Sequence, residues 1–424
     1  MLDLRALRED ADGIRAGLER RGKLETLGPL VDRALALDVE RRALIQAGEE
    51  RKAARNSASH EVARRKKARE SADELIEQTR ALGEEIARLE GELAATEGKL
   101  EHILFELPNT PLPDVPPGGE DDGRVLRSWG TPREEAGLGA HWDIGAALGM
   151  LDFTRGVKIA GSGFIVFRGP GARLTRALIS LMMDVHAREH GYEEVWVPFV
   201  VNRATATTTG QLPKFEDDMY VIREDDLYLV PTAEVPVTSL HRDEVLEASD
   251  LPRAYVCYTP CFRREAGAAG KDTRGLLRVH QFDKVELVRL STPEDAAAQH
   301  EMLTAHAEKI LQLLGLPYRV KILAAGDTGF SSAKTYDLEV WAPGVRAWLE
   351  VSSCSTFTDF QARRGSIRYR SARGEKPRLV HTLNGSGLAL PRTIAALLEH
   401  HQRSDGTVAV PDALRPYLGV DVLG

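Results

Sequence analysis

Hydrophobic positions in the first hundred residues recur at the alternating three-four spacing that is typical of a coiled coil. Two helices joined by a tight turn near 68–71 would form an antiparallel hairpin over about 30–103, about 60 Å long at a rise of about 1.5 Å per residue. The segment Ser71-Ala-Asp-Glu74 matches a capping box and predicts the start of the second helix. The apolar positions are Leu30, Ala34, Leu37 and Leu44 in the first run, and Leu75, Leu82, Ile86, Leu89, Leu93, Leu100 and Ile103 in the second.

The pattern changes after this helical region. Residues 107–119 hold five prolines and two glycines, which indicates a stiff linker at a domain boundary. From about residue 128 onward, short strand-like runs mix with single helical periods, and this predicts an α+β domain around a largely antiparallel sheet. The predicted organisation is a helical arm at 1–106, a linker at 107–127 and a globular domain at 128–424.

A polar hairpin is the most informative pattern in the globular domain. Strand-like runs at 258–267 and 278–288 flank a glycine-rich segment, which predicts an antiparallel hairpin with a long loop. Alternation places Phe282, Lys284 and Glu286 on one face, with the first and last about 13 Å apart. An aromatic ring and a carboxylate would therefore share one surface.

Polar residues also occupy positions where local structure alone does not explain them. Arg263-Arg-Glu265 ends the outgoing strand, where its guanidinium groups could bind phosphate or carboxylate, although a solvated charged face explains the triplet more simply. An apolar strand at 348–355 contains Glu350, a carboxylate that needs a partner if it is buried. Arg392 follows Pro391 in a first helical turn, an unfavourable place for a cation unless an anion binds there.

Charge is distributed unevenly along the chain. The formal net charge is -8, yet residues 51–70 hold eight Lys and Arg against two Glu, a local charge of +6. A solvated helix face is the ordinary explanation of such a run, but a cationic tip that grips phosphates also explains why the hydrophobic seam is poor there. The candidate phosphate-binding residues are Arg64, Arg65, Lys66, Lys67 and Arg69.

Composition restricts the class of protein. A chain of 424 residues with 42% hydrophobic content can bury a sizeable core. A start that is charged from its third residue, and the lack of a long apolar run, argue against secretion and membrane insertion. Three cysteines without a CxxC pair or a Cys/His cluster argue against disulfides and a zinc site, so a cytoplasmic protein with reduced thiols is expected.

Taken in order, these features resemble the class II aminoacyl-tRNA synthetases, and the seryl-tRNA synthetases in particular. The resemblance covers the arm, the proline linker, three class motifs, the Thr232-Ala-Glu triplet and the closing Pro411-Asp-Ala-Leu-Arg-Pro-Tyr-Leu-Gly. It implies an antiparallel-sheet class II catalytic domain preceded by a long antiparallel α-helical coiled-coil arm. It further implies that L-serine and ATP form seryl-adenylate, from which serine passes to the 3′ end of tRNA(Ser), with tRNA(Sec) as a second candidate.

The same resemblance assigns roles to single residues. Arg263 and Arg392 would be catalytic, Glu350 and Ser353 would hold Mg²⁺ with the ATP phosphates, and the helix and strand around 172–201 would form a homodimer interface. Serine would be bound by Thr232, Ala233, Glu234, Arg263, Glu286, Asn384 and Ser386. ATP would be bound by Arg263, Arg264, Glu265, Val279, Phe282, Glu350, Val351, Ser352, Ser353 and Arg392. The tRNA would be bound by Arg64, Arg65, Lys66, Lys67, Arg69, Lys271 and Arg274.

Two alternatives compete with this interpretation. A class II synthetase for another amino acid, such as threonine or proline, would share the three motifs but should lack the arm and the full Thr-Ala-Glu context. A catalytically silent synthetase-like RNA-binding protein should not retain Arg263, Glu350 and Arg392 together. The resemblance leads us to expect a small residue and a glycine before Arg392, the arginine of the third class motif. This chain has Leu390-Pro391 there, which affects the loop geometry and leaves Arg392 in place.

Overall fold

The computed structural model describes residues 1–267, 274–372 and 374–424. These residues form two compact units: an arm unit of 2–19 and 23–108, and a globular unit of Met1, 20–22 and 109–424. No helix in the described ranges is both long and apolar enough to cross a membrane. The three cysteines are free and buried.

The arm unit is built on two long antiparallel helices, α3 and α4. Apolar residues are buried between them mainly at the end away from the turn, for example Leu37 and Leu89. Ion pairs also join the two helices, as between Arg51 and Glu85 at 3.0 Å and between Arg41 and Glu97 at 2.9 Å. The helices are α1 (Leu4–Glu9), α2 (Ala11–Arg20), α3 (Leu24–Ala68) and α4 (Asp73–Glu106).

The predicted capping box at the start of α4 is wrong. The N-cap residue is Ala72, which has no capping side chain, and the Ser71 hydroxyl donates to the Asp73 carboxylate at 3.1 Å. The preceding helix α3 ends with Arg69 in the left-handed conformation at φ 60°, and its N–H donates to carbonyls of the last turn. This left-handed stop sets the path of the turn.

A mainly antiparallel sheet of eight strands organises the described part of the globular unit. Its strand order is β1-β11-β12-β13-β16-β10-β9-β4, and β4 against β9 is its parallel pair. The predicted hairpin is its β9–β10 pair, in which Phe282 lies opposite Cys261. The predicted position of Arg263–Glu265 at the end of the outgoing strand is wrong, because β9 ends at Phe262 and these residues follow it. The strands are β1 (Arg124–Trp129), β4 (Glu193–Glu194), β9 (Arg253–Phe262), β10 (Gln281–Ser291), β11 (Tyr318–Ile322), β12 (Lys334–Ala342), β13 (Ala347–Thr358) and β16 (His381–Ala389).

The main core lies between one face of this sheet and three amphipathic helices. Leu178 of α7, Ile310 of α10 and Leu397 of α12 are fully buried there, against Val351 of β13 and Leu287 of β10. Burying such side chains against a sheet is the main stabilising contribution expected for a domain of this size. The helices are α7 (Pro170–Arg188), α10 (Ala296–Leu313) and α12 (Leu390–His401).

Two register shifts alter which residues face away from the core. Along β13, Glu350 pairs with Glu339 and Ser352 pairs with Leu338, so one residue is inserted between them. Along β16, Ser386 lies opposite Glu286 while Leu388 lies opposite Val285, which inserts Gly387. Each insertion is a β-bulge, and side chains three positions apart then point to the same side.

The strand expected in the second part of the 172–201 segment is not continuous. It divides into β4, at the edge of the main sheet, and β5 (Val200–Asn202), which belongs to a separate three-stranded sheet. Pro198, which has no N–H for a ladder, lies between them. The remaining elements are β2 (Leu151–Asp152), β3 (Val166–Phe167), β6 (Val221–Ile222), β7 (Leu227–Leu229), β8 (Val245–Glu247), β14 (Arg368–Arg370), β15 (Arg378–Leu379), β17 (Val408–Ala409), β18 (Val422–Leu423), α5 (His141–Ala147), α6 (Phe153–Ala160), α8 (Arg203–Thr208), α9 (Glu234–Thr238), α11 (Phe360–Arg364) and α13 (Arg415–Leu418).

Candidate active site

A cavity of about 500 Å³ opens on the face of β10, β13 and β16 that points away from the core helices. Segments near 209–215 and 329–332 and the start of α12 complete its wall. Phe282, Lys284 and Glu286 line it together, as strand alternation predicts. The predicted site residues that line it are Thr232, Glu234, Arg263, Glu265, Val279, Phe282, Glu286, Glu350, Ser353, Asn384, Ser386 and Arg392.

One end of the cavity is a hydrogen-bonded group of acidic and amide side chains. Glu286 accepts from the Thr232 hydroxyl at 3.1 Å and from the Asn384 amide at 3.1 Å. Lys284 forms a close ion pair with Glu286 and donates to the Thr232 oxygen at 2.8 Å. All of these polar groups are nearly inaccessible, so this end of the cavity is preorganised to bind a small polar molecule.

Glu234 is the most perturbed carboxyl group at this end. It lies at the start of α9 and accepts from the Gln361 amide at 2.6 Å. Burial, and next the neighbouring Glu286, raise its pKa to about 7. A cationic group bound beside it would restore the ionised form, because an opposite charge lowers a carboxyl pKa. The Thr232 hydroxyl oxygen also accepts from the Glu234 backbone N–H at 3.2 Å, which stabilises the chain locally at the start of α9.

The other end of the cavity carries two arginines. The Arg263 guanidinium lies 5.1 Å from the centre of the Phe282 ring and donates to the Pro231 carbonyl at 3.3 Å. Arg392, in the first turn of α12, donates from Nη1 to the Glu350 carboxylate at 2.9 Å. Planar guanidinium groups near a helix N-terminus are well suited to bind phosphate oxygens.

Side-chain oxygen atoms that could coordinate a metal ion lie together beside Arg392. The Ser353 hydroxyl donates to Asp337 at 2.6 Å and to Glu350 at 3.3 Å. Burial acts to raise the pKa of Glu350, but the Arg392 and Arg263 charges outweigh it and hold that pKa below its usual value. Burial and the neighbouring Glu350 hold the pKa of Asp337 well above its usual range.

These donors fit Mg²⁺ bound together with phosphates. Hard oxygen ligands suit that ion, and it commonly takes one or two protein ligands when substrate phosphates supply others. The described residues contain no group of three or more His, Cys, Asp or Glu side chains placed to hold a metal by themselves. Glu350 and Ser353 therefore resemble a substrate-assisted site more than a closed protein cage.

Several predicted residues lie outside the cavity wall. The Val351 and Ala233 side chains are buried in hydrophobic clusters, and Ser352 is buried with its hydroxyl donating to the Ser386 carbonyl at 2.7 Å. Arg264 is exposed and donates to the Asp217 carbonyl at 3.2 Å. None of these four side chains lines the cavity, although the Ser352 hydroxyl bonds to the backbone of Ser386, which does.

The predicted tRNA-binding residues are distributed over both units. Arg64 and Arg65 each donate to Glu61, which holds the pKa of that carboxyl near 2. Arg274 stacks on Trp142 at 4.4 Å. Lys271 lies outside the described residues. Lys66, Lys67 and Arg69 are exposed near the end of α3.

Sequence reasoning missed other groups in and around the cavity. Strand alternation places Lys284 between Phe282 and Glu286 on the same face, but sequence reasoning assigned it no role in the site. Gln361 had none, because it reaches Glu234 from a helix 127 residues away. Phe215 and Phe330 also line the cavity without a local pattern that marks them.

Two family models match the chain. The model described as tRNA synthetase class II core domain (G, H, P, S and T) covers residues 214–401, which contain the cavity-lining strands. The model described as seryl-tRNA synthetase N-terminal domain covers residues 1–111. The antiparallel sheet, the cavity and the first match define a class II aminoacyl-tRNA synthetase.

Similar proteins identify the family within this class of synthetases. A serine–tRNA ligase of Gemmatimonas aurantiaca is 61% identical over 100% of both chains, and one of Pelobacter propionicus is 52% identical over 99% of both. A crystal structure of seryl-tRNA synthetase from Pyrococcus horikoshii complexed with ATP superposes with a TM-score of 0.95 at 39% identity, covering 100% of this chain and 99% of that one. The chain belongs to the seryl-tRNA synthetase family.

These matches confirm the predicted family, the class II fold and the serine–tRNA ligase activity. They also exclude the first alternative, a synthetase for another amino acid, since the full length of the chain matches serine–tRNA ligases. The roles of individual residues stay predictions, and the geometry of the cavity is what supports them.

Proposed function

We propose that both steps of serine ligation take place in the 500 Å³ cavity, with serine at the Glu234–Glu286 end and ATP at the Arg263–Arg392 end. The observation that carries this assignment is the difference in charged groups between the two ends of one cavity wall. Glu234 and the Lys284–Glu286 ion pair lie at one end, and Arg263 and the Arg392–Glu350 ion pair lie at the other. The first end offers a buried carboxyl group to an ammonium, and the second offers two guanidinium groups to phosphates.

Serine is held by groups that bind its ammonium and its hydroxyl. Glu234 and the Thr232 oxygen face the ammonium, and Glu286 with Ser386 closes around the hydroxyl, next to Asn384. A buried site whose polar groups require the hydroxyl rejects alanine strongly, because those groups would otherwise be left unpaired.

Activation needs alignment more than a protein nucleophile. An oxygen of the serine carboxylate attacks the α-phosphorus of ATP, the bond to the bridging oxygen breaks, and pyrophosphate leaves. Arg263 neutralises the carboxylate and the α-phosphate, Arg392 holds the γ-phosphate, and Phe282 stacks on the adenine. A hydroxyl at the 3′ end of the tRNA then attacks the seryl carbonyl and AMP leaves. Positioning and electrostatic stabilisation carry these steps.

Mg²⁺ is the proposed cofactor. When bound to Glu350 and Ser353 it would neutralise charge on the phosphates. The hydrogen bonds of Ser353 to Asp337 and Glu350 support this assignment, since they gather three oxygen donors beside Arg392. Val279, the Glu265 carboxylate, and backbone groups of Val351 and Ser352 are further candidates to contact ATP from this chain.

Partners beyond the small substrates follow from surface features. The cationic tip of the arm, at Arg64–Arg69, supports binding of the tRNA(Ser) backbone, with tRNA(Sec) as a second candidate. Homodimerisation around 172–201 is supported by β4, an edge strand, and by Trp196, whose surface is 70% exposed beside it. These partners suit a cytoplasmic enzyme.

The test is amino-acid-dependent exchange of pyrophosphate into ATP, measured with serine, alanine and threonine. We expect exchange with serine far above exchange with the other two. Equal rates with serine and alanine would contradict the pocket that we assign to Glu286 and Ser386.

A further inference from the structure

We propose that His141 and Glu399 are positioning residues that fix the loop residues Leu276 and Leu277, which lead into β10, on helix α12 and thereby help to set the position of Arg392. This inference rests on the proposed role of Arg392 in phosphate binding. Neither residue lines the cavity, and both are fully buried. They act through the backbone of Leu276 and Leu277.

The hydrogen bonds of the pair define its protonation pattern. Glu399 Oε1 accepts from His141 Nδ1 at 2.7 Å and from the His141 backbone N–H at 2.9 Å. Its Oε2 accepts from the backbone N–H groups of Gly344 at 2.8 Å and Val345 at 3.1 Å. The carboxylate is therefore fully paired, and the proton of the ring lies on Nδ1.

The second ring nitrogen reaches the hairpin. His141 Nε2 accepts from the backbone N–H of Leu276 at 3.0 Å, which requires that Nε2 carry no proton. The next residue, Leu277, accepts at its carbonyl from Arg392 Nε at 3.0 Å. Two consecutive residues of the hairpin are thus attached to one helix, once directly and once through the imidazole.

The attachment points lie far apart on α12. Arg392 and Glu399 are seven residues apart, which places them about 10.5 Å apart along the helix axis. A hydrogen bond at one point alone would let the hairpin rotate about it, but two points determine both its distance and its angle. The Leu277 carbonyl accepts from Nε of Arg392 while Glu350 accepts from Nη1 through its backbone carbonyl and its carboxylate. An error in the path of the hairpin therefore displaces one of the groups that orient the guanidinium.

Gly275 shows how closely the hairpin approaches this pair. It has φ +66°, and an added Cβ would lie 2.3 Å from His141 Nε2. Only glycine accommodates both the left-handed backbone and this approach. Gly267, on the outgoing side of the same loop, has no neighbouring atom within 4 Å of an added Cβ and provides a matched control.

The experiment compares His141→Asn with His141→Gln in the full-length enzyme. Asparagine can place its amide where Nδ1 was and keep Glu399, but nothing then reaches Leu276. Glutamine can place its oxygen where Nε2 was and keep Leu276. We expect serine-dependent pyrophosphate exchange to fall roughly 10- to 100-fold in His141→Asn, with a raised KM for ATP and an unchanged KM for serine, and to stay within about threefold in His141→Gln.

Hydrogen–deuterium exchange of the peptide that contains Leu276 provides the second measurement. Its protection should fall in His141→Asn and persist in His141→Gln. Should His141 variants fail to fold, Gly275→Ala strains the same contact from the loop side, and Gly267→Ala serves as its control. Equal losses in the asparagine and glutamine variants, in proportion to lost thermal stability, would overturn the proposal in favour of a packing role.

Failure of this inference is distinguishable from failure of the proposed function. If Arg392→Ala retains wild-type exchange, the phosphate role of Arg392 is wrong. If Arg392→Ala is slow while His141→Asn and Gly275→Ala exchange at wild-type rates, only the positioning role is overturned.

Discussion

Arg263 and Arg264 are adjacent in the sequence and both exposed, but their surroundings differ. Arg263 lines the cavity beside Phe282, whereas Arg264 lies outside the cavity wall and donates to the Asp217 carbonyl. We expect Arg263→Ala to slow serine-dependent exchange by about 10²- to 10³-fold, the typical cost of removing one preorganised donor to a developing charge. Arg264→Ala should change it little. Exchange kinetics of the two variants, with circular dichroism to verify folding, check the assignment; equal losses in both would contradict it.

Glu234 gives a pH-dependent prediction. Its pKa rises from an ordinary 4.5 to about 7 on folding, because burial and Glu286 disfavour the charge. Between these two values the unfolded chain binds fewer protons than the folded one, so the contribution of Glu234 to stability falls as pH rises and is constant above about pH 7.

Glu234→Gln removes this ionisation and keeps an acceptor for the Gln361 amide. The variant should therefore gain stability relative to wild type as pH rises from 5 to 8, by about 2–3 kcal/mol. Urea unfolding of both proteins at several pH values measures the difference. A difference in unfolding free energy that stays constant across this pH range would show that folding does not raise the pKa of Glu234.

At the scale of elements, the bulge at Gly387 sets which β16 side chains face the cavity. An added Cβ there would lie 2.7 Å from Nε2 of buried His186, which is in contact with the Gly387 carbonyl at 3.2 Å. We expect Gly387→Ala to cost about 1–3 kcal/mol of stability by overpacking and to slow exchange by displacing Ser386.

A helical glycine provides the control for this substitution. Gly83, within α4, has nothing within 4 Å of an added Cβ, so Gly83→Ala should stabilise the protein by about 0.5–1 kcal/mol. Thermal unfolding and pyrophosphate exchange distinguish the two variants. A Gly387→Ala enzyme with wild-type melting temperature and rate would mean that the bulge tolerates a side chain.

The sequence predicts elements that have a period of their own. The arm helices and the β9–β10 hairpin follow directly from hydrophobic spacing and alternation. The bulges do not, because an inserted residue is visible only when the partner strand is known. Strict alternation places Glu350 and Ser353 on opposite faces, yet the β13 bulge brings both into the cavity wall. Only the family resemblance paired them in advance.

Local signals also fail where tertiary geometry overrides them. The Ser71–Glu74 pattern is a valid capping sequence, but the left-handed Arg69 redirects the chain so that Ala72 precedes the helix. Gln361 completes the acidic end of the cavity from a distant helix, and no spacing in the sequence connects it to Glu234. Such long-range contacts depend on the packed fold.

At the scale of the whole molecule, formation of seryl-adenylate and binding of tRNA should be separable. The arm unit carries none of the cavity-lining residues. Deleting 30–103 and joining the ends should therefore leave serine-dependent exchange nearly unchanged while tRNA aminoacylation is lost. Parallel exchange and aminoacylation assays test this, and a deletion enzyme that still charges tRNA efficiently would remove the arm from tRNA recognition.

The tip itself is tested by replacing Arg64, Arg65, Lys66 and Lys67 with Ala. If all four contact phosphates, the dependence of log affinity on log salt should flatten by up to about 3 to 4 units, at roughly 0.7 to 0.9 per contact. Arg80→Ala with Arg88→Ala, two exposed cations on α4, is the control that should not change the slope. An unaltered slope in the quadruple variant identifies the tip as a solvated surface.

The ion pair between Arg392 and Glu350 bears on the proposed phosphate site. The two charges satisfy each other at 2.9 Å. If Arg392 binds an ATP phosphate as we propose, arriving ATP must separate them, so its affinity would be lower than the arginines alone would give. After the reaction the pair could re-form and compete with pyrophosphate for the same guanidinium. On this assignment, the contact that weakens nucleotide binding would also favour product release.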